Sequence, residues 1–266
     1  MKQEVYTHGH HEAVLRSHTW RTAENSAGYL LAALRPSLDL LDVGCGPGTI
    51  TADLAQRVAP GRVVGVDRAP EVLTQASAHA AAQGVSLELQ VGDVYALPFP
   101  DASFDVVHAH QVLQHLVDPV RALAEMRRVL RPQGLVAVRD SDYTSFAWAP
   151  RDPLLDRWLE LYCKIARRNG GEPDAGRFLK GWTLAAGFRD VEVTSSTWTY
   201  ADPQSCTWWG GLWADRCELS SLGEQAIAYR LSTREELGAI AAAFRAWSQQ
   251  PDAFFMVPHG EILARA

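Results

Sequence analysis

Three carboxylates close three short apolar runs near the start of this 266-residue chain: Asp42 in Leu38–Val43, Asp67 in Arg62–Asp67 and Asp93 in Leu87–Asp93. Gly44, Gly46 and Gly48 follow the first run, and an amphipathic pattern with Ile50, Leu54 and Val58 begins directly after them. The glycines permit positive φ and close approach of backbone to a ligand. A helix starting here turns its unpaired N–H groups and positive dipole end toward whatever lies over the loop. An acid placed 23 positions beyond Gly44 suits a ribose diol, because one carboxylate accepts two hydroxyl hydrogen bonds at once. The set reads as a nucleotide-type site. Its spacing, Gly-x-Gly-x-Gly, departs from the Gly-x-Gly-x-x-Gly of dinucleotide folds, and the Gly-Lys-Ser/Thr of a triphosphate loop is absent.

These acids need strands to carry them. Leu38–Val43 reads as a strand buried on both faces, as in a parallel sheet covered by helices. Pro70–Gly84 reads as an alanine-rich helix with a glycine stop, Phe104–Ala109 as a fourth strand, and Asp118-Pro119 as the start of a helix running to Arg131. Leu135–Asp140 follows as strand five. Asp152–Asn169 and Asp174–Ala186 read as helices, Val191–Tyr200 as strand six and Ala253–Ala264 as a last, antiparallel strand.

Composition bounds the rest. At 47% hydrophobic and 21% charged residues the chain looks like an ordinary globular protein. No apolar run reaches a membrane span, and the polar N-terminus is unlike a signal peptide. With a net charge of −6 and no basic stripe, a nucleic-acid partner is not expected. Arg127, Arg128 and Arg131 read as a solvated helix face. The four cysteines show no paired spacing, which fits a reducing, cytoplasmic setting.

From Leu38 to about Asp142 the chain resembles the class I S-adenosylmethionine (SAM) methyltransferases, in their ubiquinone/menaquinone-biosynthesis branch. Asp42-x-Gly44-x-Gly46-x-Gly48, Asp67, Gly92-Asp93 and Arg131-Pro132-Gln133-Gly134 carry the resemblance in order. Gln133 stands where the family usually has glycine. The resemblance implies an α/β fold: a seven-stranded, mostly parallel Rossmann-like sheet with helices on both faces, an N-terminal cap and helical lid inserts. The divisions expected are a helical cap or arm at 1–37, a SAM-binding core at 38–142 and a helical insert at 143–173. The rest of the sheet is expected at 174–200 and 251–266, with a tryptophan-rich helical substrate cover at 201–250. SAM is the implied cofactor. Asp42, Gly44, Cys45, Gly46, Gly48, Asp67, Arg68, Gly92, Asp93, Val94 and Ala109 are its implied contacts, with Asp67 on the ribose, Asp93 on the adenine amino group and Val94 on the ring. Cys45 reads as a small residue beside the cofactor and not as a nucleophile.

The acceptor side is less specific. His110 sits where strand four ends, beside the sulfonium if the fold holds, and is the preferred base, since neutral imidazole accepts protons near pH 7. His115 is a second candidate, with a structural hydrogen bond as its other reading. Four of nine histidines fall within the first 18 residues. That arm either caps the fold, closes over SAM with Tyr6 or Arg21 at the methionine end and His10 or His11 toward the acceptor, or binds metal through His8, His10 and His11. No metal is expected. Asp140 and Tyr143 either touch substrate or serve a turn. Trp148, Trp208 and Trp209 are candidates for an aromatic acceptor pocket, against the alternative that tryptophan fills core. The expected activity is methyl transfer by in-line displacement to a small, apolar or aromatic metabolite through O, S, N or C. The alternatives are an NAD-linked oxidoreductase and a catalytically silent SAM-binding domain.

Overall fold

The structure is a computed structural model that describes Thr7 and residues 19–266. Two short helices, α1 (Ala23–Ser26) and α2 (Gly28–Leu31), precede the sheet. Then β1 (Leu40–Val43), α3 (Thr49–Val58), β2 (Val63–Asp67), α4 (Pro70–Gln83), β3 (Glu88–Val91) and β4 (Phe104–His110) follow in alternation. They lead to α5 (Pro119–Val129), β5 (Leu130–Ser141), β6 (Ala147–Ala149), α6 (Pro153–Arg168), α7 (Ala175–Ala185) and β7 (Arg189–Tyr200). Three consecutive helices, α8 (Pro203–Leu219), α9 (Ser221–Ala228) and α10 (Arg234–Trp247), separate β7 from the last strand, β8 (Phe254–Arg265).

The strands form one eight-stranded sheet in the order β3-β2-β1-β4-β5-β8-β6, with β7 also paired to β8. β1 runs parallel to β2 and to β4, placing Leu41 beside Val64 and Val107. Strand order reverses at β1, so a crevice opens at the carboxyl ends of β1 and β4. Alternation along the strands divides two apolar layers. Leu40, Val63 and Val106 face Leu30, Leu54 and Val58, whereas Leu41, Val64 and Val107 face Leu123, Met126 and Leu179. A third, aromatic cluster joins α6, α8 and α10 to the far end of β8 through Trp158, Trp213, Phe244 and Phe255.

Two elements differ from expectation. The sheet has an eighth strand, β6: β8 is 12 residues long, outruns β5, and pairs its first residues with Ala147–Ala149. Three residues show too little periodicity to be read beforehand. The helix expected to reach Arg131 ends at Val129, and β5 starts at Leu130, opposite Phe104, before a register shift. Gln133 sits in that shift with φ 66°, the left-handed region in which a Cβ crowds the backbone. No helix among the described residues is long and apolar enough to cross a membrane.

Gln133→Gly relieves this conformation while keeping the Gln133 carbonyl that accepts from Arg265. The variant is expected to unfold later, by about 0.5–1 kcal/mol in chemical denaturation. A loss of stability would show that the Gln133 side chain holds the bend.

Candidate functional site

A cavity of about 1040 Å³ occupies the crevice, at the large end of the range for ligand pockets and roomy enough for two molecules. Its first half is made by the carboxyl ends of β1, β2 and β3. Asp42, Gly44, Cys45, Gly46, Asp67, Arg68, Gly92, Asp93 and Val94 all line it.

Gly44 has φ 70°, and a Cβ there would lie 2.5 Å from Val112 Cγ2, so only glycine leaves this turn its place. Asp67 accepts the Gly46 N–H at 3.0 Å through Oδ2 and the Ala69 N–H at 3.0 Å through Oδ1. Each oxygen keeps a lone pair for a further donor, as a ribose diol requires. Asp93 Oδ1 accepts the Tyr95 N–H at 2.9 Å, which shapes the next turn. Helix α3 begins without a side-chain cap, and Thr49 and Ile50 of its first turn line the cavity. Asp42 is buried beneath the loop: Thr51 Oγ1 donates to its Oδ2 at 2.5 Å, and His108 Nδ1 lies 2.7 Å from its Oδ1. Burial pushes the Cys45 thiol far up, with Asp42 and Asp67 adding to the effect, so it is no nucleophile.

The second half belongs to β4, β7, β8 and α8. His110 is buried, and neither of its ring nitrogens has a hydrogen-bond partner among the described residues. Burial, then the charges of Arg21 and Arg139, hold its pKa well below the usual histidine value, so the ring is neutral. His115 also lines the cavity and is lowered to about 3 by burial and Arg21. Gln111 takes φ 53°, and from that turn its amide reaches three groups: Arg21 Nη2 donates to its Oε1 at 2.5 Å, its Nε2 donates to Ser141 Oγ at 2.7 Å, and His259 Nε2 lies 2.9 Å away. Beneath it, Arg139 Nε donates to Glu261 Oε1 at 3.1 Å, and Arg139 Nη2 donates to His259 Nδ1 at 3.1 Å. The Arg139 guanidinium lies 4.9 Å from the Trp198 ring centre and the Arg21 guanidinium 5.5 Å from it. Tyr143, Phe146, Trp209 and Trp213 complete an aromatic wall.

Of the residues singled out from sequence, Arg21, His110, His115, Tyr143 and Trp209 join this cavity with the cofactor-loop set. Four do not. Gly48 (φ 77°) lies against α4, where a Cβ would meet Ala76 Cβ at 2.8 Å, so its smallness serves helix packing. Ala109 is fully buried between Val43 and Val138. Trp148 stacks on Phe255 in the aromatic core with ring centroids 5.5 Å apart, and Trp208 leans on Trp20 at 5.5 Å outside the cavity. Both are cases of tryptophan as packing. Tyr6, His8, His10 and His11, with their substrate, cofactor and metal readings, lie outside the described residues. Sequence reading passed over Gln111, Trp198, Arg216, His259 and Glu261. One signal was available: Trp209, Trp213 and Arg216 recur at helical spacing.

Asp140 is also away from the cavity. It is fully buried, and its Oδ1 accepts the Gln114 N–H at 3.1 Å, bracing the turn that bears His115. Burial raises its pKa to about 7 against the hydrogen bonds from Gln114 and Leu113. Between about pH 4 and pH 7 the folded chain therefore keeps a proton that the unfolded chain releases, and stability falls as pH rises through that window. Asp140→Asn keeps the acceptor without the ionisation. Unfolding free energies at pH 5 and pH 8 are expected to shift in favour of the variant at the higher pH by about 2 kcal/mol. An equal difference at both pH values would refute the buried proton.

A family profile described as "Methyltransferase domain" matches residues 41–138, the segment from β1 to β5. An uncharacterized methyltransferase of Schizosaccharomyces pombe is 33% identical over 98% of this chain and 96% of its own length. The demethylmenaquinone methyltransferase of Lactobacillus johnsonii is 32% identical over 54% of this chain and 59% of its own length. Among solved structures, the YcgJ protein from Bacillus subtilis shares the fold with a TM-score of 0.58 at 22% identity, covering 90% of this chain and 96% of that one. These matches do not favour the NAD-linked or the silent alternative. With the glycine loop and strand-end acids assembled at one crevice, they establish that the chain belongs to the class I methyltransferases and is a SAM-dependent enzyme.

Proposed function

We propose that this enzyme methylates a small, apolar or aromatic metabolite in the half of the cavity walled by β7, β8 and α8. The observation that carries the reading is that one cavity contains both the acid-and-glycine rim and an aromatic chamber with the imidazole of His110, which has no hydrogen-bond partner among the described residues. On this reading Asp67 and Asp93 hold the ribose and adenine, Arg68, Gly92 and Val94 line the adenosine, and the Gly44–Gly46 turn takes the methionine end. SAM supplies a methyl group already activated on a sulfonium. The chain aligns the acceptor and keeps water out, and positioning of this kind contributes up to ~7–11 kcal/mol. His110 takes the proton of an acceptor that reacts in its protonated form. Its neutrality leaves a lone pair, and it takes the proton as the acceptor atom gains positive character from the incoming methyl group and becomes acidic. The 201–250 segment acts as the substrate cover, supported by Trp209, Trp213 and Arg216 of α8 in the cavity wall. A cytoplasmic setting is supported by four free, buried cysteines.

Two substitutions separate the halves. Asp67→Ala is expected to weaken SAM binding in calorimetry by about 1–3 kcal/mol, the loss of two hydroxyl hydrogen bonds. An unchanged dissociation constant would remove Asp67 from the ribose site. His110→Ala is expected to lower turnover by roughly 10²–10⁴-fold with SAM affinity nearly intact, measured with an acceptor found by labelled-methyl screening of phenols, thiols, amines and quinols. Weakened SAM binding at full turnover would make His110 a binding residue only.

A further inference from the structure

Gln111 and Ser141 both line the cavity, and the hydrogen bonds that join them run in one direction. Arg21 Nη2 meets the Gln111 amide at 2.5 Å, and a guanidinium only donates, so the atom it meets is the carbonyl oxygen Oε1. The other end of the amide is therefore the NH₂ group, which donates to Ser141 Oγ at 2.7 Å. Ser141 Oγ accepts this bond and still carries its own hydrogen, for which no acceptor occurs among the described residues. The Ser141 backbone N–H is already taken by Gln114 Oε1 at 3.2 Å. Ser141 is 1% exposed, so its hydroxyl is nearly shut off from bulk water. His110 pairs with Arg139 across β4 and β5, and Ser141 lies two positions beyond Arg139. Alternation puts His110 and Ser141 on the same face of adjacent strands, one with a neutral imidazole and the other with a hydroxyl.

We infer that Ser141 is a second contact for the methyl acceptor: its hydroxyl donates to a neutral carbonyl oxygen that the acceptor carries besides the O–H, S–H or N–H to be methylated. This rests on the preceding assignment of that half of the cavity to the acceptor. A hydroxyl that accepts from a guanidinium-bound amide is a stronger donor than one alone, because each bond in the chain Arg21–Gln111–Ser141 polarises the next. The hydroxyl rotates to suit its partner, so its hydrogen turns to the side from which the oxygen enters. An acceptor held at its carbonyl by Ser141 presents its X–H to the imidazole of His110, and two contacts at separate points fix the orientation of the frame. A frame without the carbonyl leaves the buried Ser141 donor unmatched, which costs more than a solvated hydrogen bond gains and selects against hydrocarbon analogues of the same shape.

The test uses the full chain saturated with S-adenosylhomocysteine and two pairs of isosteric phenols, at a pH that leaves all of them un-ionised. 3-Acetylphenol is compared with 3-isopropenylphenol, and 4-acetylphenol with 4-isopropenylphenol. Within each pair C=O is exchanged for C=CH₂, and the hydroxyl that faces His110 is kept. Calorimetry is expected to show the ketone binding about 5–20-fold tighter than its isostere in at least one pair. Ser141→Ala is expected to bring that pair within about twofold, and Ser141→Thr, which keeps the hydroxyl, to restore most of the difference. Affinity for S-adenosylhomocysteine stays unchanged in these variants and reports folding. Ser141→Cys replaces the O–H by a weakly donating thiol of similar size; it is expected to lose most of the ketone preference and serves if the alanine variant does not fold. Equal binding of ketone and isostere in both pairs, or a preference that survives the loss of the Ser141 hydroxyl, overturns the Ser141 contact and leaves the aromatic chamber standing. Failure of all four probes to bind overturns the chamber's assignment to an aromatic acceptor, and the Ser141 contact with it.

Discussion

The buried Asp42 carboxylate is the tie on which the site depends. It stands at the carboxyl end of β1 with one oxygen on Thr51 of α3 and the other beside His108 of β4. Three elements thereby meet at the point where the strand order reverses. A buried carboxylate without such partners carries a large desolvation penalty, so the bonds hold the glycine turn in a single arrangement. Its oxygens are taken up by the protein, and Asp67 keeps lone pairs for a ligand. The first acid of the motif builds the loop; the second lines the cavity above it.

A second polar system underlies the half of the cavity walled by β7, β8 and α8. Arg139 and Glu261 pair across β5 and β8 in a nearly dry setting, and Ser196 and Thr194 of β7 donate to the same carboxylate. The arrangement fixes Trp198 over Arg139 and sets His259 under Gln111. Burial also lowers the pKa of Arg139, to about 10, and keeps His110 and His259 neutral. Low dielectric strengthens every charge that remains.

Much of the fold was legible along the chain because parallel strands buried on both faces leave unbroken apolar runs, and their helices leave a 3.6 period. The cofactor half was legible for a related reason. Its residues lie in three short strand-to-helix loops, so sequence adjacency and spatial adjacency coincide, and nine of the positions read from sequence line the cavity there. The exceptions are informative. Gly48 and Ala109 belong to the same motifs yet serve packing, since a motif records which residue is small and not which neighbour requires it.

The second half of the cavity came from distant segments: Arg21 before α1, Gln111 after β4, Trp198 on β7, Arg216 on α8 and Val257 on β8. No local period marks such a set. Tryptophan count pointed to the right region and to Trp209 but could not sort the others, because all of Trp148, Trp158, Trp209 and Trp213 belong to the third core layer and only Trp209 and Trp213 also face the cavity. The amino-acid sequence by itself determined the order of strands and helices, the glycine turn and the strand-end acids, all set by short-range sterics and hydrogen bonding. Only the tertiary structure decided which tryptophans line the cavity, that Asp140 props a turn, and that the buried Arg216 of α8 lies in the cavity wall. Those outcomes depend on how α8 docks across the sheet, a contact between residues far apart in the chain.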